Sequence, residues 1–407
     1  MLFRSKKLIF SSFIFCFLTA CTNIKPLSER LIVEVIGIDY DAQNGEYNLS
    51  IQLFTPQGGS SPTTIDPTQS NTKLVNATGE SMYEALQNAT LSIGNSFFYG
   101  DTRIIILGES ASKNCFQEIM DFLSNFSETS ANLMIVTTKG PASELLKLNI
   151  TEGITPAVGI TNLLKNSRLT GEGIELSYLE AMQGYLSKTL SPILPVVSLT
   201  QEKSSSETAV NGSSSEKNDS HSSSEISNTA PIKLDGTALF LNKKLIGYLN
   251  QNETKGLAII RNKLDSTHYT AKIEKLKYAN VSLYNLKSTI KVEQEGDQFS
   301  LKIIIKTQGD IKAFTFADNV NSLNDDDIRQ LEKEIENQIK FDCEQTITKS
   351  MKEFNVDLFR IGDKVWKKDA KAYPKIRDNY ADFIKNLDVT LDIHVNINRI
   401  GLENILK

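Results

Sequence analysis

The chain is poor in the residues that build metal centres, disulfide frameworks and the common catalytic sites. Its 407 residues include four cysteines, three histidines and one tryptophan. It contains no C-x-x-C, H-E-x-x-H, P-loop or G-x-S-x-G motif, the patterns that indicate redox or zinc sites, metalloproteases, nucleotide-phosphate cradles and serine hydrolases. The sequence therefore predicts no catalytic residue, no metal ligand and no cofactor, although carboxylate catalysis without a motif stays open.

The few candidate residues are isolated from one another. His221 lies in a serine-rich stretch, His268 in a predicted polar connection and His394 on the polar face of a predicted strand. Asp325–Asp327 are adjacent, whereas an EF-hand loop spaces its ligands and needs a glycine. Adjacent acidic residues indicate a helix N-terminus instead. Trp366 is predicted to anchor the core rather than to form an exposed binding platform.

One stretch of the sequence is largely apolar and carries positive charge on its N-terminal side. Leu8–Ala20 follows Arg4, Lys6 and Lys7 and ends in small residues. A positive flank, an apolar run of about 7–15 residues and small residues at the cut are typical of a secretory signal peptide. The run is too short to span a bilayer, which takes about 20 residues. Residues 1–20 are therefore predicted to be a signal peptide, and no later run reaches about 18 apolar residues.

The end of this run carries a second signal. Leu18, Thr19, Ala20 and Cys21 resemble the lipobox of bacterial lipoproteins. The resemblance implies that the thiol of Cys21 receives a diacylglyceryl group and that cleavage leaves Cys21 as the first residue. Two acyl chains hold a protein on a bilayer, whereas one holds it only marginally. We therefore expect a body tethered to the outer face of a membrane; an ordinary secreted protein with a chance cysteine is the alternative.

The net charge of the chain bears on which partners it can bind, and the spacing of the remaining cysteines bears on whether they form a disulfide. The formal net charge is −5, and it becomes −8 once the three cations of residues 1–20 are removed. A mildly acidic chain argues against nucleic acid and against a polybasic lipid-binding patch. The spacing of Cys115 and Cys343 does not indicate a disulfide, and both are predicted to be buried free thiols.

Residues 22–200 alternate between strand and helix signals. The predicted strands are 31–39, 47–53, 102–107 and 133–137, and the predicted helices begin at Ser81, at Phe116 and at Pro141, with 151–200 also helical. A polar loop at 55–72 interrupts the series. This alternation predicts a mixed sheet with helices packed on it, in one unit or in two subdomains.

The composition changes sharply at residue 201. Residues 201–230 hold eleven serines and only two large apolar residues. Such a stretch cannot bury enough apolar area to offset the entropy of ordering it. We therefore predict a serine-rich linker or loop at 201–232 and a C-terminal α/β domain at 233–407.

The predicted C-terminal domain again mixes strands with helix. Its predicted elements are a hairpin at 237–249 with a three-residue turn, strands at 289–293 and 299–306, a long helix after Asn324, and a terminal strand at 387–397. In the terminal strand Leu391 and Ile393 are predicted to face inward and His394 outward. The fold class predicted for the whole chain is α+β, with mixed β-sheets and packed helices in two to three domains.

Several blocks, in order along the chain, resemble one known family. In the N-terminal half they are L-I-V-E-V-I-G-I-D at 31–39, T-G-E-S-M-Y-E-A-L at 78–86 and F-F-Y-G-D-T-R-I-I-I-L-G-E at 97–109. In the C-terminal half they are D-G-T-A-L-F-L-N-K-K-L-I-G-Y-L at 235–249, E-T-K-G-L at 253–257, D-L-F-R-I-G at 357–362, V-W-K-K at 365–368, Y-P-K at 373–375 and N-R-I-G-L at 398–402. With the lipobox, this ordered set resembles the Ger(x)C family, the lipoprotein C subunits of bacterial spore germinant receptors.

The resemblance implies a function without catalysis. Members of the family are built from three α/β domains with mixed sheets and lie outside the spore's inner membrane. Their partners are two integral membrane subunits, A and B, in a receptor that responds to small-molecule nutrients. The chain departs from the family at Asp101, where relatives often carry histidine, and in the length of 201–230. Two other classes stay open, a ligand-capturing lipoprotein of a transport system and an envelope hydrolase that uses carboxylates.

The lipobox generates a direct prediction. Cys21→Ser removes the thiol that would be acylated, so the variant should lose the label when cells are grown with radioactive palmitate. Cys16→Ser is the matched control, since Cys16 lies inside the apolar run and should leave labelling unchanged. Equal labelling of the Cys21→Ser variant and the unchanged protein would contradict the assignment.

Overall fold

A computed structural model of the protein describes residues 30–400 except 55–71, 127, 129, 131, 148–154, 201–231, 297, 319 and 321. The lipobox residues Leu18, Thr19, Ala20 and Cys21, the serine-rich stretch 201–230 and most of the polar loop 55–72 lie outside the described residues. The predictions made for them stay predictions.

Sheet 1 has nine strands in the order β3-β2-β1-β5-β6-β7-β8-β9, with β4 paired to β1. The strands are β1 Arg30–Asp41, β2 Glu46–Phe54, β3 Thr72–Gly79, β4 Ser96–Phe98, β5 Ile104–Leu107, β6 Met134–Thr137, β7 Ile193–Leu199, β8 Ile232–Leu241 and β9 Lys244–Leu249. Strands β1, β5, β6 and β7 are mutually parallel, and antiparallel strands flank them. Parallel strands covered on both faces are apolar without interruption, as β5 and β6 are.

Helices cover both faces of sheet 1. They are α1 Met82–Ile93, α2 Glu109–Asn114, α3 Phe116–Asn125, α4 Ala142–Leu146, α5 Pro156–Thr170 and α6 Tyr178–Leu186. Helices α1, α3 and α6 bury their apolar stripes in one core cluster. Helices α4 and α5 bury theirs in a second cluster on the opposite face. Helix α1 begins where the sequence predicts, because Ser81 Oγ accepts the amide of Glu84 at 3.2 Å.

Sheet 2 has four strands in the order β10-β11-β12-β13. They are β10 Ser266–Ile273, β11 Leu276–Glu295, β12 Gln298–Phe316 and β13 Asp388–Ile400, and β13 runs parallel to β12. The remaining helices are α7 Gln251–Ile260, α8 Asp325–Ile347, α9 Ile361–Lys368, α10 Tyr373–Asp378 and α11 Tyr380–Asn386, with a π-helical turn at Thr348–Glu353. Together the two sheets and their helices confirm the predicted fold class.

Helix α8 supplies the core of sheet 2. Its buried stripe includes Leu331, Ile335 and Ile339, each fully buried. Asn324 and Asp327 form the reciprocal capping bonds at its start, so the interpretation of the acidic cluster as a helix N-terminus is confirmed. Among the described residues, no helix is long and apolar enough to cross a membrane.

The structure corrects several elements predicted from the sequence. Residues 193–199 form strand β7, so the prediction of helix across 151–200 is wrong there. Pro195 argues against a strand in the sequence, but the strand accommodates it because it lies at a register shift. The hairpin turn has two residues, Asn242 and Lys243, both with positive φ. His268 lies in strand β10 rather than in a connection. Among the strands, the sequence also missed β3, β4 and β10, and it predicted only the C-terminal part of β11 and the N-terminal part of β12.

Strands from both sides of residues 201–231 meet in sheet 1. Leu199 at the end of β7 pairs with Ile232 at the start of β8. Phe240 of β8 also stacks on Phe116 of α3, with ring centroids 3.8 Å apart. The hairpin β8–β9 therefore shares its core with the N-terminal half. The division into 22–200 and 233–407 itself stays a prediction.

The side chains of the terminal strand β13 point to the sides that the sequence predicts. Leu391 and Ile393 pack on the core cluster of sheet 2, and His394 is exposed. Both apolar side chains are only half-buried, because β13 lies at the edge of the sheet, whereas the neighbouring strand β12 buries Ile303 completely.

The alternation of buried and outward-facing side chains along β12 can be tested by changing two adjacent isoleucines. Ile303→Ala should lower the free energy of unfolding by about 2–5 kcal/mol, since it leaves a cavity in the core. Ile304→Ala is the matched control and should cost well under half as much, because Ile304 lies on the outer face and is only half-buried. Urea unfolding of both variants measures the difference; equal losses would mean that the two faces are wrongly assigned.

Candidate functional site

Two stretches that each carry several of the resembling blocks contribute to one apolar core cluster. The first block, 235–257, contains most of β8, all of β9 and most of α7, and the second block, 357–375, contains α9. Core residues of α7 and of sheet 2 belong to one apolar cluster, which also contains Leu239 of β8. We call this region the junction.

Helix α7 is held against β8 by its first turn. Asn250 Oδ1 accepts the amide of Glu253 at 2.9 Å, and Glu253 Oε2 accepts the amide of Asn250 at 2.7 Å. Thr237 and Thr254 share a buried hydroxyl contact of 3.0 Å. Gly236 has a φ of 100°, and a Cβ there would overlap the carbonyl oxygen of Leu249. Only glycine therefore allows β8 to pass the start of α7.

Helices α7 and α8 approach each other at Gly256. A Cβ on Gly256 would overlap the carbonyl oxygen of Asp342 and Oγ1 of Thr346. The same threonine hydroxyl donates to the carbonyl of Glu253 at 2.6 Å. The contact is thus made by backbone and by a short side chain, so α7 and α8 pack with little room for relative movement.

A buried polar group links the same two helices to sheet 2. Lys255 Nζ lies 3.5 Å from the centroid of the Tyr269 ring, and the Tyr269 hydroxyl donates to Asp342 Oδ2 at 2.7 Å. Burial lowers the pKa of Lys255 and raises the pKa of Asp342. These groups are costly to bury unless each has a partner, so they favour one arrangement of the three elements.

The second block is organised by a buried carboxylate. Asp357 is 1% exposed. Its carboxylate accepts the amides of Phe359 at 2.8 Å and Gly362 at 3.1 Å, and the hydroxyl of Tyr380 at 2.6 Å. Burial raises the pKa of Asp357, and these donors act against that shift. The carboxylate therefore holds the start of α9 and the start of α11 together.

The same block reaches back to the segment before β7. The amide of Ser191 donates to the carbonyl of Asp357 at 2.9 Å. Arg360 has a φ of 58° and donates to Gln183 of α6. A Cβ on Gly362 would lie 2.6 Å from Oγ1 of Thr189. Contacts of backbone and of side chains thus connect the start of α9 to α6 and to the segment that leads into β7.

The outer side of α9 is open. Trp366 is 53% exposed, so the prediction that it anchors the core is wrong. The helix has eight residues and one buried stripe, which Ile361, Gly362 and Val365 occupy. Trp366 falls outside that stripe, with Lys367 and Lys368 exposed beside it. An exposed aromatic side chain on a well-held helix is suited to contact a partner.

The acidic side chains of the junction are hydrogen-bonded to other groups of the protein. Among the described residues, no group of three or more His, Cys, Asp or Glu side chains is placed to hold a metal ion. Cys115 and Cys343 are buried free thiols, as predicted, and burial raises the pKa of both. A cleft of about 760 Å³ opens beside α4, but Asp39 at its edge is used to cap Ala142 and Ser143, at 2.7 and 3.0 Å.

The stability of the junction should depend on the carboxylate of Asp357. Asp357→Asn should lower the free energy of unfolding by about 1–3 kcal/mol, because the new NH₂ group faces N–H donors that lose their acceptor. Asp388→Asn, at an exposed position that starts β13, is the control and should change stability by less than about 0.5 kcal/mol. Similar losses in the two variants would show that the Asp357 carboxylate does not organise α9.

Comparisons with known proteins bear on both halves of the chain. Residues 23–199 match the family described as spore germination protein, N-terminal domain, and residues 235–401 match the family described as spore germination B3/GerAC like, C-terminal. Spore germination protein YndF of Bacillus subtilis (strain 168) is 22% identical over 337 residues, which cover 80% of this chain and 74% of that protein. Spore germination protein GerQC of Bacillus cereus is 20% identical over 319 residues, 78% of each chain.

A solved structure shares the fold. The crystal structure of the GerBC protein matches with a TM-score of 0.52 and 19% identity, over 89% of this chain and 96% of that one. Since the two family matches together span most of the sequence and confirm the resemblance stated from its blocks, the chain belongs to the GerAC-like family of spore germination proteins.

Proposed function

We propose that this protein is the non-catalytic lipoprotein subunit of a spore germinant receptor and acts in nutrient-triggered germination. The observation that carries the proposal is the match of both halves of the chain to the GerAC-like family. The junction supports it, because its buried polar groups are used to fix α7, α8 and α9 rather than to form a reactive site. The integral membrane subunits A and B are the proposed partners, and a small-molecule nutrient is bound by the complex.

The proposed location follows from the lipobox. Acylation at Cys21 would hold the body on the outer face of the cell membrane, which becomes the inner membrane of the spore. Confinement to a plane raises the effective concentration of the body near membrane subunits. A modest interface is then sufficient for assembly, and no deep pocket is required.

The exposed side of α9 is the proposed contact with those subunits. Trp366 offers apolar area on a helix that Asp357 and Gly362 hold in place, so little ordering entropy would be lost on binding. A displacement of α9 would be transmitted toward sheet 1 through the hydrogen bond between Asp357 and Ser191. The second block is therefore the proposed route by which a conformational change in the membrane subunits is transmitted to this protein.

The transport alternative has less support. A ligand-capturing lipoprotein of that kind would use two similar lobes around a cleft, whereas sheet 1 has nine strands and sheet 2 has four in a different order. The hydrolase alternative is kept as an outcome of the experiment below.

Deletion of the gene in a spore-forming host tests the proposal. Spores of the deletion strain should lose the response to a nutrient and keep germination by a trigger that bypasses receptors. Restoring the gene with Trp366→Ala should not restore the response, whereas Phe341→Ala should, since Phe341 is similarly exposed, at 57%, but lies on α8. Immunoblots of spore membranes should show both variants at equal amounts.

Two results would count against the proposal. One is a normal response of the deletion strain to every nutrient, in a host without redundant receptors. The other is hydrolytic activity of the purified protein that disappears when a single carboxylate is changed.

A further inference from the structure

The outer face of sheet 2 places lysines directly opposite one another. The cross-strand partners on β11 and β12 are Lys287↔Lys306, Thr289↔Ile304 and Lys291↔Lys302. Like charges on directly opposite residues of an antiparallel pair are destabilising. Here two such pairs flank one neutral rung. We call this surface, defined by the six residues of the three rungs, the basic face.

The lysines of the basic face are poorly neutralised within the protein. Lys302 pairs with Asp392 of β13 at 3.5 Å, and Asp392 also lies 3.0 Å from His394. Within the described part of the chain, Lys287, Lys291 and Lys306 have no ion-pair partner. Carboxylates also lie on this side of the sheet: Asp392 is beside the lysines, and Glu293, Glu295 and Asp388 lie beyond Lys291 and Lys302 at one end. The positive charge is therefore concentrated in the three rungs and does not extend over the whole outer side.

Folding does not require these lysines. The core needs the inner side of β12, where Ile303 and Ile305 are fully buried. The outer side is open: Lys287, Lys291 and Lys306 are exposed and line a groove of about 660 Å³ with Ile304 along its floor. Threonine, the polar β-branched residue, would suit the strand better and without repulsion. An external anion that covers the three rungs would relieve this repulsion.

We propose that the basic face docks on the anionic headgroups of a membrane. All four cations are lysines, which act as point charges on flexible stems and suit a fluid layer of headgroups, whereas recognition of individual carboxylates favours the arginine fork. The half-buried Ile304 between the lysines allows a shallow apolar contact. The negative net charge of the chain argues against a polybasic lipid-binding patch. Strand pairing nevertheless brings together lysines that are separated in the sequence.

This inference goes beyond the proposed function and does not rest on it. A charged face and an acyl anchor are separate attractions, and two together hold a protein on a membrane more firmly than either one. The face would also orient the body, with sheet 2 toward the lipid. Binding to vesicles can be measured without any receptor subunit, so its failure is distinguishable from failure of the germination assay.

The test uses residues 22–407 without an acyl chain, a chain that contains every described residue. It should float with vesicles made of phosphatidylglycerol and phosphatidylcholine in equal parts, and not with phosphatidylcholine alone. The combined variant Lys287→Gln, Lys291→Gln, Lys306→Gln should bind about a hundredfold more weakly, since each lysine contributes about a fivefold factor. Added salt should weaken binding of the unchanged chain.

The matched control removes the same charge elsewhere. Lys113, Lys333 and Lys340 are exposed and each is paired with a glutamate one helical turn away, so changing all three to glutamine should leave vesicle binding almost unchanged. The first variant should unfold at the same or a higher temperature than the unchanged chain, because it loses cross-strand repulsion. Three results would overturn the proposal: no binding by the unchanged chain, equal losses in both variants, or lysine-dependent retention on immobilised polyglutamate without binding to vesicles, which would assign the face to an acidic protein.

Discussion

The arrangement of the C-terminal part depends on how one buried charge is satisfied. The carboxylate of Asp357 has no access to water, and the protein supplies its own donors from two backbone amides and the Tyr380 hydroxyl. A buried carboxylate without such donors would be strongly unfavourable. The start of α9 and the start of α11 must therefore keep one position relative to each other. Because the carbonyl of Asp357 also accepts from Ser191, that geometry is transmitted to the strand that closes the parallel part of sheet 1.

The second constraint is steric. Gly236 and Gly256 lie where a single added carbon would meet backbone oxygen, so β8, α7 and α8 approach more closely than larger residues would allow. Close backbone packing transmits displacement because it has little room to relax. The junction thus combines buried polar groups that require hydrogen-bond partners with backbone contacts that are too close to accommodate a larger side chain. This combination favours one arrangement of β8, α7 and α8.

Local signals in the sequence predicted the elements that are determined locally. The helix starts at Ser81 and after Asn324 depend on residues within a few positions of each other, and these predictions are confirmed. Strand β7 was missed because Pro195 is unfavourable in a strand unless it lies at an irregularity, and only the pairing with β8 reveals one. The side of α9 that carries Trp366 is set by the contacts of Ile361 and Val365 with the rest of the fold. Nothing within the block D-L-F-R-I-G itself distinguishes Asp357, which becomes central only when Tyr380 and Ser191 are brought to it.

The pairing of Leu199 with Ile232 has a consequence for how the chain can vary. Leu199 and Ile232, which lie on either side of 201–231, are neighbours in one β-ladder, so the sheet holds these two residues close together. The free energy of closing a flexible loop grows only with the logarithm of its length, about 0.6 kcal/mol for each doubling. Residues can therefore be gained or lost between these two strands at little thermodynamic cost, while the register of the sheet is kept by the side chains on either side. The position is a place where related sequences can differ widely in length and still share one fold.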